Sequence, residues 1–314
     1  MLNKQQLITT WHRLSTYLQT GWRPQVLTAS FFLLSLAVAA SILIASRETL
    51  ESYPWQVHPG WVFCALLLLA IDLLLGSYAW HLLVSRLTSG SSLRYDIKCW
   101  HYSNLARRVP GPIWYIASRA ILYEQKQISK TTTSLVSGLE LALIFLSGVA
   151  VFLLSTPFWV ISAEVVEQLN QSWVLLIVLI FCLIFIHPQV LNKIWAKMSQ
   201  HPPEQRLKWL NTAIWFTFYI IIWIIGAGAL FSIINIFTPL PVTHFIPVAG
   251  MWALANVISV AGTVAFSGIG LREISLAVLL TQFIPLPVAV IIAILSRLIW
   301  LIAESIGALL SLLL

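Results

Sequence analysis

Charged side chains inside apolar stretches are the residues of this chain that could do chemistry. Asp72 lies in "LLLAIDLLLGSYAW" and Glu140 lies in "SLVSGLELALIFL". Arg297 and Glu304 lie seven residues apart in the last apolar stretch, which places both on one face of a helix. Because a charge at the centre of a membrane helix costs about 2.5–3.5 kcal/mol on insertion scales, each of these groups indicates an ion-pair partner or a pathway for a proton or polar solute.

More charges surround a break in the stretch "ARRVPGPIWYIASR", residues 106–119. The proline-glycine-proline sequence at 110–112 removes helical hydrogen bonds and permits a tight turn. We therefore predict a broken helix over 95–123, with a second half that begins near Ile113. If this segment dips into the membrane, we expect Arg107, Arg108 and Arg119 to contact a substrate. Alternatively, 95–123 lies along the cytoplasmic interface with its arginines in water.

A similar break follows in "GTVAFSGIG", residues 262–270, and predicts a second broken helix over 246–284. Its second half should begin near Leu271. Guanidinium groups bind phosphate with two parallel hydrogen bonds, and the N-terminal ends of helices attract anions. We therefore expect a phosphate-bearing substrate here, with Arg272 in contact with it and the carboxylates of Glu140 and Glu273 close by. Alternatively, 246–284 is an ordinary pair of spans joined by a glycine-rich turn.

The intramembrane carboxylates admit two interpretations. They balance the arginines, contact a cationic headgroup or carry protons, and on this interpretation Asp72, Arg297 and Glu304 are the candidates for ion or proton coupling. Alternatively, they form structural ion pairs, in which Arg272 or Arg297 binds Glu140 or Glu304.

The composition places all these residues in a membrane protein. Of 314 residues, 59% are hydrophobic and only 9% are charged, which leaves too little polar surface for an ordinary soluble domain. Five stretches lack Lys, Arg, Asp and Glu: 24–46, 52–71, 141–163, 168–192 and 209–271. Since about 20 apolar residues cross a bilayer as a helix, we predict an all-α, polytopic integral membrane protein.

The predicted full spans number about six, with the two broken segments as re-entrant hairpins between them. The spans lie at 26–46, 61–84, 131–156, 172–188, 212–237 and 287–313. Basic residues are concentrated before the first span, after the second and in the loop around 193–208, whereas the loops 47–60 and 157–171 hold few. The positive-inside rule then predicts a cytoplasmic N-terminus in the plasma membrane.

This orientation makes the order span, hairpin, span occur twice with opposite direction, an inverted repeat. The first half covers about 61–156 and the second about 212–314, within one membrane domain over 26–314. Residues 1–25 precede it as a cytoplasmic amphipathic segment. Broken helices at matching places in two halves are typical of transporters whose substrate site lies near the midplane.

Other classes of function lack support in the sequence. The three cysteines are scattered, with no Cys/His cluster for a metal, and the basic residues form no nucleic-acid-binding pattern. No ATP-binding or metalloprotease motif occurs. A serine protease built on Ser267 lacks a base, because no histidine follows that residue. We therefore expect a protein that is not an enzyme and needs no cofactor.

Two motifs resemble the flippase-like membrane-domain family of lysylphosphatidylglycerol synthases. The first is "ARRVPGPIWYIASRAIL" followed by "SLVSGLELAL", and the second is "SGIGLREISLAVLL", similar to a Gly-x-Gly-x-Arg-Glu motif of that family. The arginine of "ILSRLIWLIAE" also fits, so that the resemblance spans about residues 60–314. Ser118, Phe266 and Ser267 depart from the glycine and proline residues common in the family.

The resemblance implies movement of a lipid with a charged headgroup between leaflets. It implies substrate-binding roles for a set of residues in both motifs: Pro110, Gly111, Trp114, Arg119, Glu140, Gly268, Gly270, Arg272 and Glu273. Because the sequence stops at Leu314, directly after the last predicted span, we expect no aminoacyl-transfer domain and no aminoacylation of lipid.

The predicted function is lipid translocation, with a phospholipid or polyprenyl-phosphate lipid as the partner. One alternative is an ion-coupled transporter of a small soluble anion. Another is a non-transporting assembly partner of a membrane glycosyltransferase, and association of the chain with itself also stays open.

Overall fold

The protein is a bundle of helices in the part of the chain that its structure, a computed structural model, describes. These residues are 33–34, 37–88, 90–106, 113–159, 177, 180, 184, 187–198, 207–266 and 270–314. All regular secondary structure among them is helical. The prediction of an all-α protein is thereby confirmed.

Ten α-helices have both ends within the described residues. They are α1 (Arg47–Ser52), α2 (Pro59–Leu87), α3 (Leu93–Ala106), α4 (Ile113–Glu124), α5 (Lys130–Ser155), α6 (Pro188–Met198), α7 (Trp209–Phe237), α8 (Phe245–Phe266), α9 (Leu271–Leu280) and α10 (Leu286–Leu310). Short 3₁₀ helices follow α5, precede α8 and follow α10, at Thr156–Phe158, Val242–His244 and Ser311–Leu313.

Five helical segments among the described residues are long and apolar enough to cross a membrane. They are Pro59–Leu87, Lys130–Phe158, Trp209–Phe237, Val242–Gly262 and Leu286–Leu313, with mean hydropathy between 1.6 and 2.4. By helix length and hydropathy, the chain is therefore a multi-pass membrane protein, as predicted. Of the predicted span at 26–46, residues 33–34 and 37–46 are described, and all of these but residue 46 are helical. The predicted span at 172–188 lies largely outside the described residues, and the amphipathic segment at 1–25 lies wholly outside them.

The second broken segment begins and breaks where the sequence predicted, but its first helix is long enough for a full crossing, as in the alternative of an ordinary pair of spans. Helix α8 has 22 residues, about 33 Å at 1.5 Å per residue, and so has the length of a full crossing. The corresponding helix α3 has 14 residues and reaches only about 21 Å. The physical reason is that no charge interrupts the sequence between 209 and 271, so that the helix continues to the break itself.

Both second arms begin where the sequence predicted them. Helix α4 starts at Ile113 and α9 starts at Leu271. Gly270, just before α9, has φ of +88°, a left-handed conformation that glycine adopts without steric cost. A glycine at this position therefore allows the chain to turn sharply into the second arm.

The helix contacts repeat between the two halves. Helix α2 packs against α3, α3 against α4 and α4 against α5; likewise, α7 packs against α8, α8 against α9 and α9 against α10. Contacts between the halves are also symmetric. Helix α2 packs on α7, its counterpart in the other half, and α5 packs on α8 as α10 packs on α3. Exchanging the two sets of four helices leaves this pattern unchanged.

Candidate functional site

The first predicted arginine is held in a buried ion pair. The guanidinium of Arg119 on α4 donates from both terminal nitrogens to the carboxylate of Glu140 on α5. Its Nε donates to the Ser103 hydroxyl on α3 at 2.8 Å. Arg119 is 0% exposed and Glu140 is 1% exposed, so the pair is shielded from both water and lipid.

Aromatic side chains enclose this ion pair. The Arg119 guanidinium carbon lies 3.7 Å from the centre of the Trp80 ring and 4.7 Å from that of Tyr115. Tyr115 also donates to the Ser137 carbonyl at 2.9 Å, and the Tyr219 hydroxyl lies 3.4 Å from the Glu140 carboxylate. The cluster ties α4 to α2, α3, α5 and α7. In this conformation, Arg119 holds the second arm of the first hairpin, α4, against the neighbouring helices.

The second predicted arginine lies against two tryptophans. The guanidinium carbon of Arg272 is 4.4 Å from the ring centre of Trp252 on α8 and 5.6 Å from that of Trp300 on α10. The two indole rings lie 4.6 Å apart, tilted by 33°. Arg272 is 5% exposed. A cation held over desolvated indole faces gains about 2 kcal/mol, and this attraction directs the side chain into the bundle.

Asp72 on α2 joins this second cluster from the other half of the molecule. Gly226 on α7 lies between Asp72 and Trp252, because a Cβ at Gly226 would lie 3.3 Å from Asp72 Oδ1 and 3.1 Å from Trp252 Nε1. The Asp72 carboxylate of the first set of helices thus faces the tryptophan of α8 against which the Arg272 guanidinium lies.

Glu273 holds the start of α9 and contacts the last helix. The Gly270 backbone N–H donates to Glu273 Oε2 at 3.1 Å, which caps the N-terminus of α9. The other oxygen, Oε1, lies 3.6 Å from Arg297 Nη1 on α10. Arg297 and Glu273 are 28% and 19% exposed. Glu273 therefore fixes the geometry around Arg272, its neighbour in sequence.

His101 on α3 approaches the cluster along α10. It interacts electrostatically with Glu304, and its ring packs beside Gly307, where a Cβ would lie 2.8 Å from the ring. His101 is 6% exposed, and its Nδ1 has no hydrogen-bond partner within the described part of the chain. A buried histidine ring thus packs against α10 at Gly307, three residues after Glu304 in the sequence.

The predicted site residues therefore form separate groups. Arg119 lies with Glu140, Arg272 lies with Asp72 and Glu304, and Glu273 lies with Arg297. The ion-pair alternative predicted Arg272 or Arg297 as the partner of Glu140, whereas the partner is Arg119. It predicted Glu140 or Glu304 as the partner of Arg297, whereas the partner is Glu273. Trp114 is half-buried in the first turn of α4, and Arg107, Arg108, Pro110, Gly111 and Gly268 fall outside the described residues.

Sequence reasoning missed the aromatic residues that hold the arginines. Trp300 and Glu304 are four apart on α10, a spacing that places them on one helix face and was a usable signal. It also missed a buried network in which Asp96, 0% exposed, accepts hydrogen bonds from Tyr123 at 2.6 Å and from Ser91. His81 Nδ1 lies 2.6 Å from the same carboxylate. No local sequence pattern predicts this network, because its members are up to 42 residues apart (positions 81 to 123).

Among the described residues, no group of three or more His, Cys, Asp and Glu side chains is placed to hold a metal ion. The chain matches no protein-family model, and none of the curated proteins searched is significantly similar to it. The resemblance to the flippase-like domain therefore stays a prediction that rests on the two quoted motifs.

Proposed function

We propose that this protein is a lipid translocase that moves a phosphate-bearing headgroup between the leaflets of the plasma membrane. The observation that supports this proposal most is Arg272, a buried arginine at the start of α9 whose guanidinium lies against Trp252 and Trp300. A guanidinium at a helix N-terminus combines two features that favour phosphate oxygens. The substrate class is a phospholipid or a polyprenyl-phosphate lipid, and the N-terminus faces the cytoplasm.

The repeated helix contacts support this proposal. With the predicted orientation, α2 runs inward and α7 outward, so that the two sets of four helices form an inverted repeat. In such transporters the substrate binds where the repeats meet, and the two sets move against each other. Asp72 and Arg272 lie at this boundary.

The two arginines have different roles in the proposed mechanism. Arg119 keeps the first hairpin in place through Glu140, and Arg272 binds the headgroup phosphate. The lipid tails stay in the bilayer while the headgroup passes along the boundary between the two sets of helices. Broken helices suit this passage, because irregular backbone at membrane depth is tolerated where it borders protein or a water-filled cavity.

Reconstitution tests the function. The purified protein is placed in liposomes with a trace of headgroup-labelled phosphatidylglycerol or polyprenyl phosphate, and a membrane-impermeant quencher is added. We expect the protected inner pool to become accessible, and we expect Arg272→Ala to slow this at least about tenfold, the effect of losing about 1.4 kcal/mol.

Arg47→Ala is the matched control, because the Arg47 side chain is 80% exposed and pairs, within the described part of the chain, with the exposed Glu51. It should transport like the unchanged protein. If neither labelled lipid moves, or if Arg272→Ala transports at the normal rate, the proposal is wrong. Uptake of a soluble anion without lipid movement would favour the small-anion transporter instead.

A further inference from the structure

We propose that His81 binds the phosphate of a resident phospholipid, whose acyl chains lie along an exposed apolar face formed by α2 and α7. This lipid site is separate from Arg272, and it goes beyond the proposed function because it requires no translocation. Its ligand is an anionic phospholipid of the leaflet at the C-terminal end of α2, which is the cytoplasmic leaflet in the predicted orientation.

A buried carboxylate holds the His81 ring in one orientation. His81 Nδ1 on α2 lies 2.6 Å from Oδ2 of Asp96 on α3, and the Asp96 side chain is 0% exposed. The hydroxyl groups of Ser91 and Tyr123 also donate to this carboxylate, Tyr123 at 2.6 Å. Because an ionised carboxylate only accepts hydrogen bonds, Nδ1 carries the ring hydrogen that is donated to Asp96.

The opposite edge of the ring, with Nε2, turns away from Asp96. The His81 side chain is 20% exposed, although the carboxylate beside its Nδ1 is fully buried. The exposed part of the ring therefore lies toward Nε2. When this nitrogen is protonated, it offers a charged N–H donor on the lipid-facing surface of α2.

The position of His81 along α2 brings its ring near the headgroup layer. Helix α2 has 29 residues and is about 43 Å long, whereas the hydrocarbon core of a bilayer is about 30 Å thick. A centred helix of this length extends about 7 Å beyond the core at each end. His81 lies about 9 Å before Leu87, the last residue of α2, and so its ring is close to the edge of the core.

An apolar face leads from His81 toward the middle of the membrane. The centre of the Tyr78 ring lies 6.1 Å from that of His81 and 5.8 Å from that of Phe218 on α7. Tyr78 is 42% exposed, and Leu74 and Ile221, which continue this face one helical turn further, are exposed as well. A charged donor at one end and an apolar face beyond it match the phosphate and the acyl chains of one lipid.

Few titratable groups face His81 in the described part of the chain. Asp96 on α3 is the charged group in contact with it, and Tyr78 is its aromatic neighbour on α2. At about 100° per residue, Asp72 and Arg86 of α2 point to other sides of that helix. Helix α7 carries no Lys, Arg, Asp or Glu. Titratable side chains of the neighbouring helices that bond elsewhere are Tyr219 and Arg119 with Glu140, Lys130 with Glu124, and Arg297 with Glu273.

A bound phosphate places an anion at each edge of the His81 ring. Both anions favour the imidazolium over the neutral ring, so that the complex with lipid binds a proton more tightly than the free protein does. By linkage, the apparent affinity for the lipid strengthens as the pH falls through the range in which histidine titrates.

Binding of a short-chain lipid tests the site. Purified protein in a nonionic detergent is titrated with dihexanoyl phosphatidylglycerol in a calorimeter at about pH 6 and about pH 8, and we expect the affinity to be at least about fivefold tighter at the lower pH. His81→Gln keeps a donor for Asp96 but loses the charge. It should weaken binding at the lower pH about tenfold, the effect of losing a charged hydrogen bond, and should remove the pH dependence.

His244→Gln is the matched control, because His244 precedes α8 at the other end of the bundle and packs 4.7 Å from the Phe283 ring. It should bind lipid like the unchanged protein. Equal affinity of the unchanged protein at both pH values overturns the inference, and so does unweakened binding by His81→Gln. Glycerol phosphate, which lacks acyl chains, should bind at least about tenfold more weakly, and equally tight binding would mean that the apolar face holds no lipid.

Arg272→Ala separates this site from the proposed translocase. Binding that persists in Arg272→Ala and is weakened by His81→Gln supports the resident lipid, whether or not the protein moves lipid between leaflets. Binding that Arg272→Ala abolishes and His81→Gln leaves unchanged overturns the His81 site and keeps the contact of Arg272 with phosphate. Absence of binding by the unchanged protein overturns the His81 site, while the liposome assay still decides the translocase.

Discussion

Breaking the Arg119–Glu140 pair on one side should destabilise the protein far more than removing both partners. Arg119→Met leaves the Glu140 carboxylate buried without its guanidinium, and Glu140→Leu leaves the guanidinium buried without its carboxylate. Stranding one charge of a buried pair costs about 3–5 kcal/mol. With Arg119 0% exposed and Glu140 1% exposed, water cannot reach either group to compensate.

The double variant Arg119→Met/Glu140→Leu should cost less than either single one. No charge is then left at this position, and apolar side chains of similar volume fill the space. Some loss remains, because the Ser103 hydroxyl loses its donor at 2.8 Å and Trp80 loses the cation 3.7 Å from its ring. The coupling energy between the two substitutions should therefore be several kcal/mol and favourable.

The free energy of unfolding is measured for all four proteins by titrating sodium dodecyl sulfate into mixed micelles. Glu51→Gln serves as the control, since its partner pair is exposed and should contribute at most about 1 kcal/mol. If the double variant loses as much unfolding free energy as the two single variants together, the two groups act independently and the reasoning about the buried ion pair is wrong. It is also wrong if each single variant loses no more unfolding free energy than the control.

Two glycine substitutions test the packing of the second half. Gly270→Ala should destabilise the protein by about 1–2 kcal/mol, because a Cβ is strained at φ of +88°, whereas Gly138→Ala, with open space around its Cβ, should be neutral in the same titration. Gly250→Ala should lower the thermal midpoint by overpacking, since its Cβ would lie 1.8 Å from Ser155 Oγ, and Ser155→Gly should restore part of the loss; an unshifted midpoint would contradict this packing.

The helical membrane architecture followed from the sequence because it depends on local quantities. The length of an apolar stretch determines where a helix can span the membrane. A proline-glycine sequence or a glycine at positive φ determines where a helix breaks. The starts of α4 at Ile113 and α9 at Leu271 were predictable for this reason. Whether α8 crosses the membrane or only enters it was not, because an uncharged apolar stretch of this length allows both.

The partners of the charged residues could not be predicted for a different reason. Arg119 and Glu140 are 21 residues apart, and a second arginine or glutamate on another helix satisfies the same rule of charge balance. Asp72 meets Arg272 across 200 positions, which only the packing of α2 on α7 and α10 brings together. The types of residue in the site were therefore readable, whereas the pairing required the fold.

The two contacts of Glu273 determine which parts of the molecule can move separately. One carboxylate oxygen holds the turn at Gly270 and the other faces Arg297, so that the hairpin tip and the last helix are joined at a single side chain. We therefore expect helices α9 and α10 to move together as one rigid unit. Any displacement of Arg272 is then passed to α10, and the surface along which the two sets of helices slide is the one where α10 packs against α2 and α3.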